Sequence, residues 1–213
     1  MIRVSIYIYS TLKAIKYIRV GALMGEIKAV IVSGSPRPRS NSLLLTEKAS
    51  SLLSERGIET CIVELRKYKF YECFSCRKCV ETKKCCIKDD MSEKIIPILL
   101  KSHIIIVSSP VYFDNVSGLV KKFIDRTWCI REFLRNKILG AIVVGRGYGL
   151  DTAIMAIYSW GLKHEMIICH RGVRAHAYNY GEVLQDKRAL EDLEKMCTRL
   201  TEVSNLIYQH NKL

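Results

Sequence analysis

The run Cys73–Cys86, reading CFSCRKCVETKKCC, concentrates the side chains of this protein best suited to chemistry. Cys73, Cys76, Cys79 and Cys85 are spaced C-x2-C-x2-C-x5-C, with Cys86 directly behind. Three thiols at successive three-residue steps cannot all pair with one another, but they can turn inward around one point. A cubane [4Fe–4S] cluster needs such an arrangement: three thiolates from a tight loop and a fourth from a little further on. A mononuclear zinc site also takes four thiolates, usually as two separated C-x2-C knuckles, and the first three cysteines are crowded for two such grips. The spacing favours the cluster, with zinc, disulfides or inert thiols as the alternatives, and it favours Cys85 over Cys86 as fourth ligand. Arg77, Lys78, Lys83, Lys84 and Lys88 surround the run. They form either a solvated face or a positive field that favours a reduced cluster and docks an acidic carrier.

Three further stretches could hold a ligand. Ser33–Ser42, SGSPRPRSNS, joins an apolar run to a helical pattern. A helix start there offers free N–H groups to an anion, Ser35, Ser40, Asn41 and Ser42 add donors, and Arg37 adds a forked cation. A plain Ser-rich helix cap is the simpler explanation. No Gly-Lys-Ser/Thr follows, so the loop is not built for ATP. Ser109–Ser117, SPVYFDNVS, places Pro110, Val111, Tyr112, Phe113, Asn115 and Ser117 where aromatics can border a flat ring or merely anchor a loop. Gly145, Arg146 and Gly147 open a third loop whose glycines let backbone approach a ligand. As a dinucleotide fingerprint it fails, because Leu150 stands where the last glycine belongs. A phosphate grip, an aromatic loop and a glycine loop together describe a site for flavin mononucleotide. Arg146 either reaches the flavin edge or points to solvent.

These loops need a scaffold that brings them together. The chain has 213 residues, of which 49% are hydrophobic, enough for a core without staples. Nine cysteines, five within fourteen residues, suit a reducing cytoplasmic compartment better than a secreted disulfide framework. The net charge of +13 fits an acidic partner, and no nucleic-acid recognition motif accompanies it. The longest uncharged run near the start, Val4–Leu12, is too short to span a bilayer, so no membrane is expected. Residues 1–24 read as an extension, either a short arm or a start codon assigned too early, since Met24 stands just before the first strand.

From there strands and helices alternate. Strands are predicted at Ile27–Ser33, Ile58–Leu65, His103–Pro110, Ile138–Gly145 and Glu165–Gly172. Helices are predicted at Leu43–Glu55, Met91–Lys101, Ser117–Thr127 with an extension to Asn136, Leu150–His164 and Asp186–Tyr208. Asp89 and Asp90 would cap the second of these. Such alternation implies an α/β doubly wound, five-stranded parallel sheet in the flavodoxin-like order 2-1-3-4-5. The cysteine-rich loop, residues 67–90, is inserted after the second strand of one domain spanning 25–213. Cys61, Cys129, Cys169 and Cys197 read as small core residues, with a flavin or dimer contact also open to Trp128 and Cys129. His103, His164, His170, His176 and His210 are scattered and read as structural or surface groups.

The segments Gly34–Ser42, Lys84–Met91 and Ser109–Arg126, together with the cysteine spacing, resemble the iron–sulfur flavoprotein branch of the NADPH-dependent FMN reductase family over roughly Glu26–Gly172. The resemblance implies a flavodoxin-like fold, FMN, a [4Fe–4S] cluster, homodimers or homotetramers, and electron transfer often shared with ferredoxin. It further implies that Ser35, Arg37, Ser40, Asn41 and Ser42 hold the FMN phosphate. Pro110, Val111, Tyr112, Phe113 and Ser117 would lie along the flavin and ribityl chain. Cys86 and Arg146 depart from the family's pattern. Two other functions stay open: an NAD(P)H-dependent flavin or quinone reductase with a zinc or vestigial cysteine site, and a non-enzymatic zinc-containing binding module.

Overall fold

Runs of Ile and Val without polar alternation must be covered on both faces, which a parallel sheet between helical layers achieves. The structure, a computed structural model, describes residues 26–209. The extension expected at residues 1–24, and His210, lie outside these. The strands are β1 (Lys28–Ser33), β2 (Glu59–Glu64), β3 (Ile104–Tyr112), β4 (Asn115–Val116), β5 (Ile138–Gly145), β6 (Ile167–Ile168) and β7 (Val173–His176). The parallel order is β2-β1-β3-β5, followed by β6 and β7, which both pair with β5. With β6 and β7 as two halves of one position, this is the flavodoxin-like order 2-1-3-4-5.

The helices are α1 (Asn41–Ser54), α2 (Lys78–Thr82), α3 (Ile96–Lys101), α4 (Gly118–Arg126), α5 (Leu150–Lys163) and α6 (Lys187–Gln209). α1 and α6 cover one sheet face; Leu45 and Leu53 meet Leu193, Met196 and Leu200 in one apolar cluster with Ile31 and Ile106. The segment around α3, with α4 and α5, covers the other, where Leu99, Phe123 and Ile157 pack on Val30 and Val107.

Three local departures from the sequence pattern have physical causes. The fifth strand is interrupted: Ile167–Ile168 pairs with Ile138–Leu139, and pairing resumes only at Val173. Between them Gly172 takes φ +86°, a left-handed conformation that turns the chain out of the ladder. The helix expected to run to Asn136 stops at Arg126 and passes into a 3-10 turn over Thr127–Ile130. There Thr127 Oγ1 donates to the Ile124 carbonyl at 2.7 Å, a side-chain bond that competes with helix propagation. After β3 the chain reverses at Phe113 and Asp114, with φ of +46° and +59°, so that β4 folds back antiparallel. Cys129 and Cys197 are buried as expected, whereas Cys61 is exposed on the edge strand and Cys169 is half-buried.

Candidate functional site

The carboxyl ends of β1, β3 and β5 open into a cavity of about 480 Å³. Its phosphate-loop wall carries Ser35, Arg37, Arg39, Ser40, Asn41 and Ser42. Ser40 adopts extended backbone and its Oγ accepts from the Leu43 N–H at 3.2 Å, the geometry of an N-cap. The first turn of α1 therefore presents its remaining N–H groups toward the cavity loop. Ser35 Oγ accepts from the Arg37 N–H at 3.1 Å, which curls the loop. Gly34 lets β1 reach this point: its N–H donates to the Ser108 carbonyl at 2.8 Å, and a Cβ there would lie 2.0 Å from Val120 Cγ2.

The second wall is Pro110, Val111, Tyr112 and Phe113, and the third is Val144, Gly145, Arg146 and Tyr148. Ser117, Asn115 and Gly147 do not line the cavity. Ser117 is buried and structural: its Oγ donates to the Gly34 carbonyl at 2.6 Å and accepts from the Val120 N–H, joining β1 to the start of α4. Asn115 Oδ1 accepts from the Val116 N–H inside the small hairpin. Gly147 is exposed at φ +118° with no atom near its missing Cβ. Gly149 at φ +69° is where two walls touch, since a Cβ would come within 2.5 Å of Asp114 Cα.

A fourth wall, Ala177, Tyr178 and Tyr180, was not legible from the sequence. It lies beyond β7, and only the interrupted fifth strand delivers it to the cavity. Asn41 holds it, with its side-chain amide bonding the backbone of Asn179 and Gly181. Arg39 lies 4.5 Å over the Tyr180 ring and Arg146 5.4 Å over the Tyr178 ring. Arg146 thus lines the site while its exposed side chain stacks on an aromatic face.

The cysteines gather elsewhere. Cys73, Cys76, Cys79, Cys85 and Cys86 line a second cavity of about 680 Å³, backed by Ile124–Cys129 and by Trp160, Lys163 and His164 at the far end of α5. Trp128 and Cys129 therefore face the thiols, not the cavity at the strand ends. The two cavities have no lining residue in common, and only the thiol cavity is lined by residues of α4. The loop takes unusual backbone: Ser75, Arg77 and Lys83 all have φ between +54° and +59°. Cys76 Sγ lies 3.3 Å from Cys86 Sγ. The Lys78 backbone N–H and the Cys86 contact hold the Cys76 thiol below its usual pKa, while burial pushes Cys79 up. Among the described residues, no group of three or more His, Cys, Asp or Glu side chains converges tightly enough to hold a single metal ion.

One ion pair underpins this cavity. Arg126, fully buried, makes a two-pronged contact to Asp89 at 2.6 and 3.0 Å and donates to the Tyr71 carbonyl at 2.7 Å. Its Nη2 also lies 3.3 Å from Cys85 Sγ. Burial works against the Asp89 charge, but bonds from Arg126, the Tyr71 N–H and the Ser92 N–H outweigh it and hold the carboxyl below the usual range. Asp89 caps the turn at Met91–Ile95 through the Ser92 N–H, as expected, and Asp90 instead accepts from the Lys69 N–H. His164, also buried, contacts Thr127 Oγ1 at 3.1 Å; the scattered histidines include one that lines the thiol cavity.

A doubly wound α/β fold with a cavity at its topological switch point is the architecture of a flavodoxin-like protein. Solved structures agree. RosB bound to 8-demethyl-8-formylriboflavin-5'-phosphate superposes with a TM-score of 0.72 at 14% identity, over 86% of this chain and 81% of that one. A flavodoxin from the domain Archaea gives 0.58 at 14%, over 84% and 99%. Residues 27–178 match the NADPH-dependent FMN reductase family. An iron–sulfur flavoprotein of Methanocaldococcus jannaschii is 35% identical over 192 residues, 85% of this chain and 99% of its own. Another, of Archaeoglobus fulgidus, is 28% identical over 195 residues, covering 84% and 96%. The chain belongs to the NADPH-dependent FMN reductase family, in its iron–sulfur flavoprotein branch, and is an FMN-dependent oxidoreductase. No helix among the described residues is long and apolar enough to cross a membrane.

Proposed function

We propose that this protein passes electrons between a [4Fe–4S] cluster held by Cys73, Cys76, Cys79 and Cys85 and an FMN held in the cavity at the switch point. The observation that carries this reading is the gathering of five cysteines around one cavity, against a buried arginine. Thiols spread around a cavity suit a multi-iron core better than one zinc ion. When bound, the cluster handles one electron at a time and FMN one or two, so together they convert between one-electron carriers and a two-electron acceptor.

On this reading Ser35, Arg37, Ser40 and Ser42 hold the FMN phosphate at the start of α1, with Arg39 beside them. Pro110–Phe113 and Gly145–Arg146 border the ring. Asn41 serves the site by fixing the Tyr178–Gly181 wall, and Ser117 by fixing the first loop to α4. Asn115 and Gly147 shape the turns that bear the walls. The unit is one domain over residues 25–213 with the cluster loop at 67–90, and residues 1–24 are an extension to it. It works in the reducing cytoplasm, where nine free cysteines stay reduced.

Within one chain the two cavities share no lining residue, so electrons would cross intervening protein. A homodimer or homotetramer in which one copy's cysteine loop meets another's flavin cavity would shorten the path. Ferredoxin or a similar acidic carrier fits the lysines and arginines around the cysteines, with NAD(P)H as a further donor and a small molecule as acceptor. Protein purified without oxygen is expected to hold iron and sulfide in cubane ratio and one FMN per chain, and a Cys79→Ala variant to lose the iron. Zinc in place of iron, or undiminished iron in that variant, would reject the ligand set.

A further inference from the structure

We infer that Arg126 is the positioning residue of the cluster site: it selects Cys85 over Cys86 as the fourth thiolate and raises the cluster's reduction potential. The inference rests on the cluster reading above and goes beyond it in assigning a tuning group that is not a ligand.

The two adjacent cysteines stand in different surroundings. Cys85 is half-buried, packs against the apolar cluster under α4, and has Arg126 Nη2 at 3.3 Å from its sulfur. Cys86 is exposed, and its sulfur contacts only that of Cys76 among the polar contacts seen for it. Arg126 cannot swing away to solvent. Its side chain is fully buried and clamped by Asp89 and the Tyr71 carbonyl, so its position is set before any cluster arrives. Its Nε is buried with no hydrogen-bond acceptor, leaving an unused donor on a guanidinium that lines the thiol cavity.

A fixed donor on one sulfur marks that sulfur out from its exposed neighbour as the better-placed ligand, and a fixed cation there offsets negative charge: uptake of one electron from a carrier adds one negative charge to a site already bearing four thiolates. Hydrogen bonds to the sulfurs and nearby charge are among the factors that set such potentials. The Asp89 carboxylate, bonded to the same Nη2, offsets part of this field, but the guanidinium is the group in contact with the sulfur. Lys122 provides an internal comparison: it lies on the same helix but reaches the Phe70 carbonyl and no cysteine.

The test uses the anaerobically purified holoprotein. The cluster potential, followed by EPR-monitored titration, should fall in Arg126→Lys and further in Arg126→Gln, while the FMN potential and the Lys122→Gln control hold steady. Iron should survive in Cys86→Ser and be lost in Cys85→Ser. Because Arg126 variants could fail to fold, native protein grown with guanidino-15N-arginine should show nitrogen coupling to the reduced cluster in pulsed EPR. Absence of that coupling, an unmoved cluster potential in a loaded Arg126→Gln, or iron retained by Cys85→Ser would each overturn the inference. A native preparation with no iron at all would instead sink the cluster reading on which it rests.

Discussion

Asn41 holds the loop at Tyr178–Gly181 through both ends of its amide: Oδ1 accepts from the Gly181 N–H at 2.7 Å, and Nδ2 donates to the Asn179 carbonyl at 2.8 Å. The first residue of α1 thereby fixes a wall contributed from 140 residues further along the chain. Each such bond contributes about 0.5–1.5 kcal/mol net. Asn41→Ala should leave the fold intact and free the wall, and FMN affinity should drop roughly tenfold, the equivalent of about 1.4 kcal/mol. Titration with FMN, followed by quenching of its fluorescence, measures this; unchanged affinity would show that the wall does not grip the ligand.

Gly149 separates two loops that cannot retreat. A side chain there would need φ +69° and would press on the Asp114 backbone at 2.5 Å. Gly149→Ala should therefore cost roughly 1–3 kcal/mol in overpacking, beyond the left-handed backbone penalty. Gly147→Ala meets no neighbouring atom and should cost only the backbone part. Urea unfolding of the two variants side by side checks the ranking, and equal losses would contradict it.

Burial holds His164 below the ordinary histidine pKa, with the Arg131 carbonyl opposing the shift in part. In the unfolded chain its pKa returns to about 6.5, so below that value the unfolded state binds more protons. The neutral ring's contribution is full above about pH 6.5 and is lost as pH falls toward the lower folded value. Thermal melts between pH 7.5 and 5.5 should show stability declining on acidification, and His164→Gln should flatten that slope. An identical slope in the variant would place the proton uptake elsewhere.

Cys76 and Cys86, with sulfurs 3.3 Å apart, are both exposed. When cluster-free protein is treated with glutathione disulfide, one disulfide should form between them, with release of two glutathione thiols. Peptide mapping would locate the bond, and Cys86→Ser should abolish it. A principal bond joining Cys76 to Cys73 or Cys79 would refute the pairing.

Much of this protein is determined by residue order alone. Unbroken Ile and Val runs in β1, β3 and β5 demand cover on both faces, and regular alternation with helices then fixes the doubly wound sheet and its loop-bearing edge. Local spacing also marks the Ser40 cap, the aromatic and glycine loops and the cysteine run, because each depends on residues a few positions apart. What spacing cannot carry is contact between distant segments. The Tyr178–Gly181 wall depends on where an interrupted strand resumes. Ser117 became a structural tie, not a lining group, because Gly34 brings β1 against α4. Arg126, an unremarkable helical arginine in sequence, is buried between Asp89 and Cys85 only once α4 packs against the cysteine loop. Chain order set the sheet and the chemistry of each loop; burial and long-range hydrogen bonding decided which side chains face a cavity and which hold its walls.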